Sequence, residues 1–409
     1  MIPRLRPRIG RSELLALCLP ARKEAVPEFE RAFANLMEQE NAVAFPYGRT
    51  GLVCLLEALG IRGKEIICPA WTCVVVPHAV VHSGNESVFV DSRAEDYNMD
   101  LVAAEREITL RTGAIISTSL FGYPVDLDLL DGLRARHPVL PVIQDCAHSF
   151  AANWKGRPVQ KEGIAAIFGL NISKLLTSIF GGMVTTDDAA LDRELRRVRA
   201  HVTAPASWRK EWKSRLYLPA ATAALSPPVY GVINIVERAG GLNRFVKYHN
   251  EATIDMPRDW QEGMDAVQAA VGILQVGRYG EIVARRREAA ALYHEQLTGL
   301  PGIRLPLWAN GATWSHYTIR VKNREKLLRE ALRQGIQLGW LVEYCIPDMA
   351  AYRNRLGFRD CPTARLLARE AVNLPVWGER ARLRKIHEFL WRWHARQNDI
   401  YDRTASLSY

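Results

Sequence analysis

The sequence predicts an α/β protein: a large domain on a mostly parallel sheet, followed by a smaller α+β domain. Two observations carry this. From about residue 40 to 190, short apolar, β-rich runs alternate with helical stretches, as expected of strands joined by crossover helices. After 190 the texture changes, and alternation returns only in the last hundred residues. The candidate strands are 42–45, 65–68, 86–90, 114–119, 139–144, 165–170 and 183–186, with helical patterns at 50–59, 74–82 and 127–136. An amphipathic stretch at 264–300 reads as a bridging helix or helix pair. A strand at 316–321, a helix at 324–334 and a terminal helix around 380–397 complete the smaller domain. The chain therefore divides into a basic N-terminal arm (1–29), a large domain (30–275, with an insert at 201–260) and a small C-terminal domain (276–409).

Composition narrows the class. The 409 residues are 48% hydrophobic and 24% charged, which excludes a disordered or fibrous protein. The net charge of +10 is localised. Residues 1–23 set Arg4, Arg6, Arg8, Arg11, Arg22 and Lys23 against Glu13, a balance of +5. Residues 192–215 set eight Lys and Arg against Asp192, Glu194 and Glu211, another +5. Two basic segments point to an anionic surface or ligand. Nucleic acid is disfavoured, because no helix-turn-helix or aromatic-rich binding module accompanies them. Seven scattered cysteines without a C-x-x-C pair read as free thiols in a reducing compartment, not as a disulfide framework or zinc site. The first apolar run, 14–19, is short for a secretory leader. A cytoplasmic protein without a metal site is expected.

In such sheets ligands bind beyond the carboxyl ends of the strands, and three elements there suit pyridoxal 5'-phosphate. The strand-like Pro141–Val142–Ile143–Gln144 ends in Asp145, with His148 three residues later. Lys174 follows the next strand, in Asn171–Ile172–Ser173–Lys174. Upstream, Tyr47–Gly48–Arg49–Thr50–Gly51 lies where a strand turns into a helix. The cofactor needs a lysine amine, and a carboxylate to keep its ring nitrogen protonated. Its phosphate needs a helix N-terminus that backbone can approach closely. Lys174 and Asp145 fill the first two roles, with Ser173 beside the lysine, and Gly48, Arg49 and Thr50 fill the third. His148 can hydrogen-bond the ring hydroxyl oxygen. Taken singly, each has an ordinary reading: a helix cap, a surface lysine, a tight turn, a structural histidine. Their order and strand-end placement lift the functional one.

On these and further residues the chain resembles the DegT/StrS-type sugar aminotransferases, among the fold-type I PLP-dependent enzymes. The likeness runs through Glu65–Ile66–Ile67–Cys68–Pro69–Ala70–Trp71–Thr72 and Val88–Phe89–Val90–Asp91. It continues in Leu120–Phe121–Gly122–Tyr123–Pro124–Val125–Asp126 and Asp145–Cys146–Ala147–His148, and then in Lys174, Gly181–Gly182–Met183–Val184 and Met264–Asp265–Ala266–Val267–Gln268–Ala269–Ala270. The resemblance implies a homodimer with active sites at the subunit interface. It implies amino transfer from an amino acid such as glutamate to a keto sugar, nucleotide- or lipid-linked, in surface-polysaccharide, glycolipid or antibiotic synthesis. Relatives that dehydrate carry histidine at the lysine position, so Lys174 favours transamination. A ligand-sensing relative that kept only the fold is the alternative, against which Asp145, His148 and Lys174 weigh. His316 matches a family position near the substrate; a buried structural histidine is an equal reading.

Departures from the family cluster on the phosphate and substrate sides. Gly169 stands where a serine is common, Arg49 where a small hydroxyl residue is usual, and Gln261–Glu262–Gly263 where Asn-Tyr-Arg is frequent. Cys73 takes the place of the aromatic that covers the cofactor ring. Trp71 then either stacks on the ring or belongs to the core. Within the insert, 216–236 holds 21 residues without a charge, interrupted by Pro219 and Ser226–Pro227–Pro228. The prolines disfavour a straight transmembrane helix and favour two short arms. Basic and aromatic flanks include Trp208, Arg209, Trp212 and Lys213 on one side, and Arg238, Arg244 and Lys247 on the other. Two readings stand: an arm across a dimer interface or over the active site, or peripheral contact of 208–247 with an anionic membrane.

Overall fold

The computed structural model describes residues 1–20, 22–238, 251–355 and 359–405, without the side chains of 237–238 and 396–405. Arg244 and Lys247 lie outside the described residues, as does the side chain of Arg238.

Among the described residues the alternation in the sequence becomes nine strands in the large domain: β1 Asn41–Phe45, β2 Glu65–Pro69, β3 Glu86–Val90, β4 Thr112–Thr118, β5 Val142–Asp145, β6 Asn153–Trp154, β7 Arg157–Pro158, β8 Ala165–Gly169 and β9 Gly182–Thr186. Seven form one sheet in the order β1-β9-β8-β5-β4-β2-β3, while β6 and β7 form a small hairpin. Every pairing from β8 to β3 is parallel; β9 alone runs against its neighbours β8 and β1. The central strands are apolar on both faces because helices cover both.

One cover helix is Ala25–Leu36, whose Phe29 and Phe33 recur at i and i+4 and are fully buried. Phe33 meets Phe168 of β8 edge-to-face, 5.0 Å between centroids. Burial of such a side chain is worth about 1.5–3 kcal/mol. The amphipathic stretch resolves into a pair of helices, Ala266–Gly277 and Tyr279–Leu297. The second opens the smaller domain, a three-stranded antiparallel sheet of β10 Ile303–Arg304, β11 Tyr317–Val321 and β12 Ala371–Leu374, with helices Arg324–Arg333, Pro362–Glu370 and Arg380–Ala405. Neither β12 nor the Pro362 helix was legible in the sequence.

Three expectations change. The arm 1–29 is not a separate appendage: Ile2 pairs with Ile336 of the smaller domain, and the helix Ala25–Leu36 crosses the expected boundary. Pro219 does not interrupt the insert, because it lies inside the helix Trp208–Ala224. The break comes at 225–226, and Pro227 opens the next helix, Pro227–Arg238, where no N–H is required. The basic stretch, finally, is half turned inward and partly paired: Arg193, Arg197, Arg209 and Lys213 stay exposed. Arg196 and Arg199 both bind the buried Glu30 (2.8 and 2.6 Å) and also reach the carbonyls of Ala42 and Ala44 on β1. Arg197 pairs with Glu194, Arg215 with Glu211 and Lys213 with Asp259. Formal charge there overstates what an anion can meet.

Candidate active site

The parallel strands end along one edge, and β1, β2, β4, β5 and β8 each deliver a candidate residue to it. Asp145 is the last residue of β5, in register with Thr118 of β4 and Ile167 of β8. It is buried. Its Oδ1 accepts from the backbone N–H of Ala147 (3.1 Å), and its Oδ2 from the hydroxyl of Thr118 (3.3 Å). Burial raises its pKa, opposed by the Ala147 N–H, the charge of Lys174 and the Thr118 hydroxyl. One backbone hydrogen bond of ordinary length and one longer bond from a hydroxyl do not balance a buried carboxylate.

Lys174 follows β8 on a tied loop. Its N–H donates to Asn171 O (3.0 Å), and Asn171 Oδ1 accepts from the N–H and hydroxyl of Ser173 (2.9 and 2.6 Å). The side chain runs past Gly169, whose added Cβ would meet Lys174 Cε at 3.4 Å. Burial lowers the amine's pKa, while the neighbouring Cys73 and Asp145 act upward. His148 accepts the N–H of Phe121 at Nδ1 (3.4 Å), and its ring lies nearly parallel to that of Phe121, 6.0 Å away at 16°. Burial, then the charge of Lys174 and the neighbouring His316, hold His148 well below the usual imidazole range. The ring is neutral and, with Nδ1 accepting, carries its proton on Nε2.

His316 is brought to the same place from the smaller domain. Its N–H donates to Phe121 O (3.3 Å), and its ring lies 5.5 Å from His148. Burial, then the charges of Arg286, Lys174 and Arg4, push its pKa down to about 3. The two domains meet closely here because Gly122, at φ 90°, has no side chain: a Cβ would lie 2.7 Å from the N of Trp314.

At the opposite side of the cluster, Gly48 opens the helix Gly48–Ala58, and no side chain caps it. The first-turn N–H groups thus lack intrahelical acceptors. Gly48 and Gly182 touch so closely that a Cβ on Gly182 would fall 2.2 Å from Gly48 N. Arg49 is half-buried in this first turn. The Thr50 hydroxyl is buried and donates to Trp260 O (3.0 Å), so the residue can offer a ligand only its backbone N–H. The hydroxyl of Ser173 is likewise engaged with Asn171.

Trp71 does not lie open to the cluster. It is 1% exposed, its indole N–H donates to Val342 O (3.2 Å), and its ring packs edge-on against Phe121 (5.4 Å). This contact across domains places it in the core. Cys73, two residues on, and Ala147 are the half-exposed small residues nearby. Sequence reasoning assigned no role to Phe121, Thr118 or Arg286. Phe121 had a signal, its place before Gly122 in the Leu120–Pro124 motif. The other two act through contacts that no local pattern reveals. Arg286, from the helix Tyr279–Leu297, donates to Ser315 O and is lowered to about 10 by burial.

The DegT/DnrJ/EryC1/StrS aminotransferase family profile matches residues 21–383. An uncharacterised protein of Methanocaldococcus jannaschii is 26% identical over 394 residues, spanning 92% of each chain. Among solved structures, the sugar aminotransferase CalS13 of Micromonospora echinospora superposes with a TM-score of 0.76 at 20% identity, over 95% of this chain and 99% of that one. PseC of Helicobacter pylori, an aminotransferase involved in pseudoaminic acid biosynthesis, gives 0.76 at 18% identity, over 96% and 98%. The fold is that of these fold-type I transferases.

Proposed function

The chain belongs to the DegT/DnrJ/EryC1/StrS aminotransferase family, and from that membership we propose that it uses pyridoxal 5'-phosphate to move an amino group from an amino acid, glutamate foremost, to a keto sugar. The observation that carries the reading is the nearness of Asp145, at the end of β5, to the charge of Lys174 beyond β8, beside a neutral histidine and with an uncapped helix start nearby.

The residues fit the cofactor. Asp145 is a buried acid short of a cation, which a protonated ring nitrogen would supply. The Gly48–Gly182 contact leaves the helix start bare of side chain, as a phosphate requires. When bound, the cofactor supplies an electron sink for the bond broken at the amino-bearing carbon. Lys174 holds the cofactor and, once released, carries the proton to and from that carbon. Burial helps by favouring its neutral amine. His148 donates Nε2–H toward the ring oxygen. Gly48, Arg49 and Thr50 receive the phosphate through backbone N–H groups, with the Arg49 guanidinium as a charged supplement. The half-buried Arg286 adds positive charge on the substrate side, and the neutral His316 beside it offers a hydrogen bond, which suits a phosphorylated acceptor, nucleotide- or lipid-linked. The enzyme works as a homodimer in the cytoplasm, against the inner face of the membrane where the acceptor is lipid-linked, in surface-polysaccharide, glycolipid or antibiotic synthesis.

Purified protein should show a visible absorbance band that borohydride bleaches and that Lys174→Ala lacks. Glutamate should discharge the band, and a keto sugar should restore it. Wild-type protein without the band, or a band unaffected by any amino donor, would overturn the proposal and favour a ligand-sensing role.

A further inference from the structure

We infer that the outward faces of the helices Trp208–Ala224 and Pro227–Arg238, with the helix Arg11–Ala16 beside them, form a peripheral docking surface for an anionic phospholipid bilayer. Helical periodicity makes this surface. Trp208, Trp212 and Leu216 repeat every four residues on the first helix, and Val232 and Ile235 share a face of the second; all five are between 57% and 69% exposed. The opposite face of the first helix is buried through Lys210, Ser214 and Leu218.

The N-terminal helix is fastened alongside. Leu17 packs with Leu218, Val267 and Val271, and the Arg215 guanidinium donates to the carbonyls of Leu17 and Leu19. Leu15 and Leu19 remain outside, 66% and 62% exposed. A water-facing surface normally scatters such side chains singly, whereas here neighbouring elements gather them.

Basic groups accompany the apolar ones. Arg209 follows Trp208 by one position and is exposed, as are Arg11 and Lys23 of the N-terminal arm; Lys213, which follows Trp212, is exposed but paired with Asp259. The Arg209 guanidinium lies over the Trp208 ring at 5.5 Å. Tryptophan interleaved with Arg and Lys suits the headgroup layer, and the uncharged stretch 216–236 suits the acyl boundary beneath it. No single described helix is long and apolar enough to cross, and the pair bends by 97°, so the surface lies on the bilayer. A second copy of the chain is the competing occupant. The exposed cations Arg209, Arg11 and Lys23 beside the apolar strip match the anionic headgroup layer of a bilayer, which also supplies the apolar phase beneath it. The inference does not rest on the transaminase reading.

Flotation tests it. The full-length protein should rise with vesicles of phosphatidylglycerol and phosphatidylcholine in equal parts, more than with phosphatidylcholine alone, and added salt should weaken the binding. Trp212→Ser with Leu216→Ser should cut the bound fraction about tenfold or more, leaving light-scattering mass and far-ultraviolet circular dichroism unchanged. Arg209→Gln with Lys23→Gln should remove the preference for the anionic vesicles without touching the apolar strip. Absence of flotation on the anionic vesicles would overturn the inference. So would a Trp212/Leu216 variant that falls to a smaller assembly in lipid-free buffer, which would assign the face to a second copy.

Discussion

Asp145 shows at the residue scale why a strand-end acid signals chemistry and not merely a cap. A cap would be solvated and bonded to several N–H groups; Asp145 is buried with one such bond and one hydroxyl. Burial raises its folded-state pKa above the ordinary 3.8, so the cofactor-free native state binds the proton more tightly than the unfolded chain does. That contribution to stability is present below pH 3.8 and is lost as pH rises through the folded pKa. Asp145→Asn should therefore stabilise the cofactor-free protein at pH 7 by about 1–3 kcal/mol, with the gain fading in acid. The same change should reduce amino transfer by ~100-fold or more. Thermal unfolding across pH and a single-turnover assay check both halves; a destabilised Asn variant at pH 7 would show the acid already compensated. Residue identity was enough to nominate Asp145, Lys174 and His148. It could not show that the hydroxyl of Thr50 was already engaged, because Trp260 lies 210 residues from Thr50.

Among the elements, the seven strands of the main sheet were legible because apolar runs of that length between turn signals have few other solutions. Pro219 was misread as a break. Proline removes one helix hydrogen bond and crowds the carbonyl four residues back, which costs ~3 kcal/mol in a helix interior, partly offset by a stiffer unfolded chain. The buried face of this helix, anchored by Leu218 on Val267 and Val271 and by Ser214 on Asp265 (2.7 Å), outweighs that cost. Pro219→Ala at this exposed position should raise stability by about 1–2 kcal/mol, seen as a higher urea midpoint with an unchanged slope. No gain would mean that the helix already accommodates the ring without loss.

Across the whole molecule, the first nine residues act as a strap. Ile2 exchanges backbone hydrogen bonds with Gly335 and Gln337 (2.8 and 2.9 Å). Trp377 donates to Pro3 O (3.0 Å), and Gln275 of the large domain donates to Arg8 O (2.9 Å). The strap therefore runs from the smaller domain to the helix pair that joins the two. Deleting residues 1–9 should lower unfolding stability by about 2–4 kcal/mol, from lost burial of Ile2 and Pro3 and several hydrogen bonds. Chemical denaturation of the truncated enzyme measures it; an unchanged midpoint would show the strap to be dispensable. Charge counting suggested a free basic arm, but arginines can serve as ties as well as docking groups, and only contacts distinguish the two.

The sequence by itself determined the alternating layout, the order of the strand-end residues and the family to which they point. These depend on periodicity and turn chemistry, which act over a few residues. Only the tertiary structure decided that Trp71 packs in the core against Phe121, that His316 comes from the smaller domain to His148, and that Arg196 and Arg199 converge on Glu30. It also decided which apolar residues of the insert face outward. In each case the outcome depends on contacts between residues far apart in the chain, which folding sets and local pattern does not.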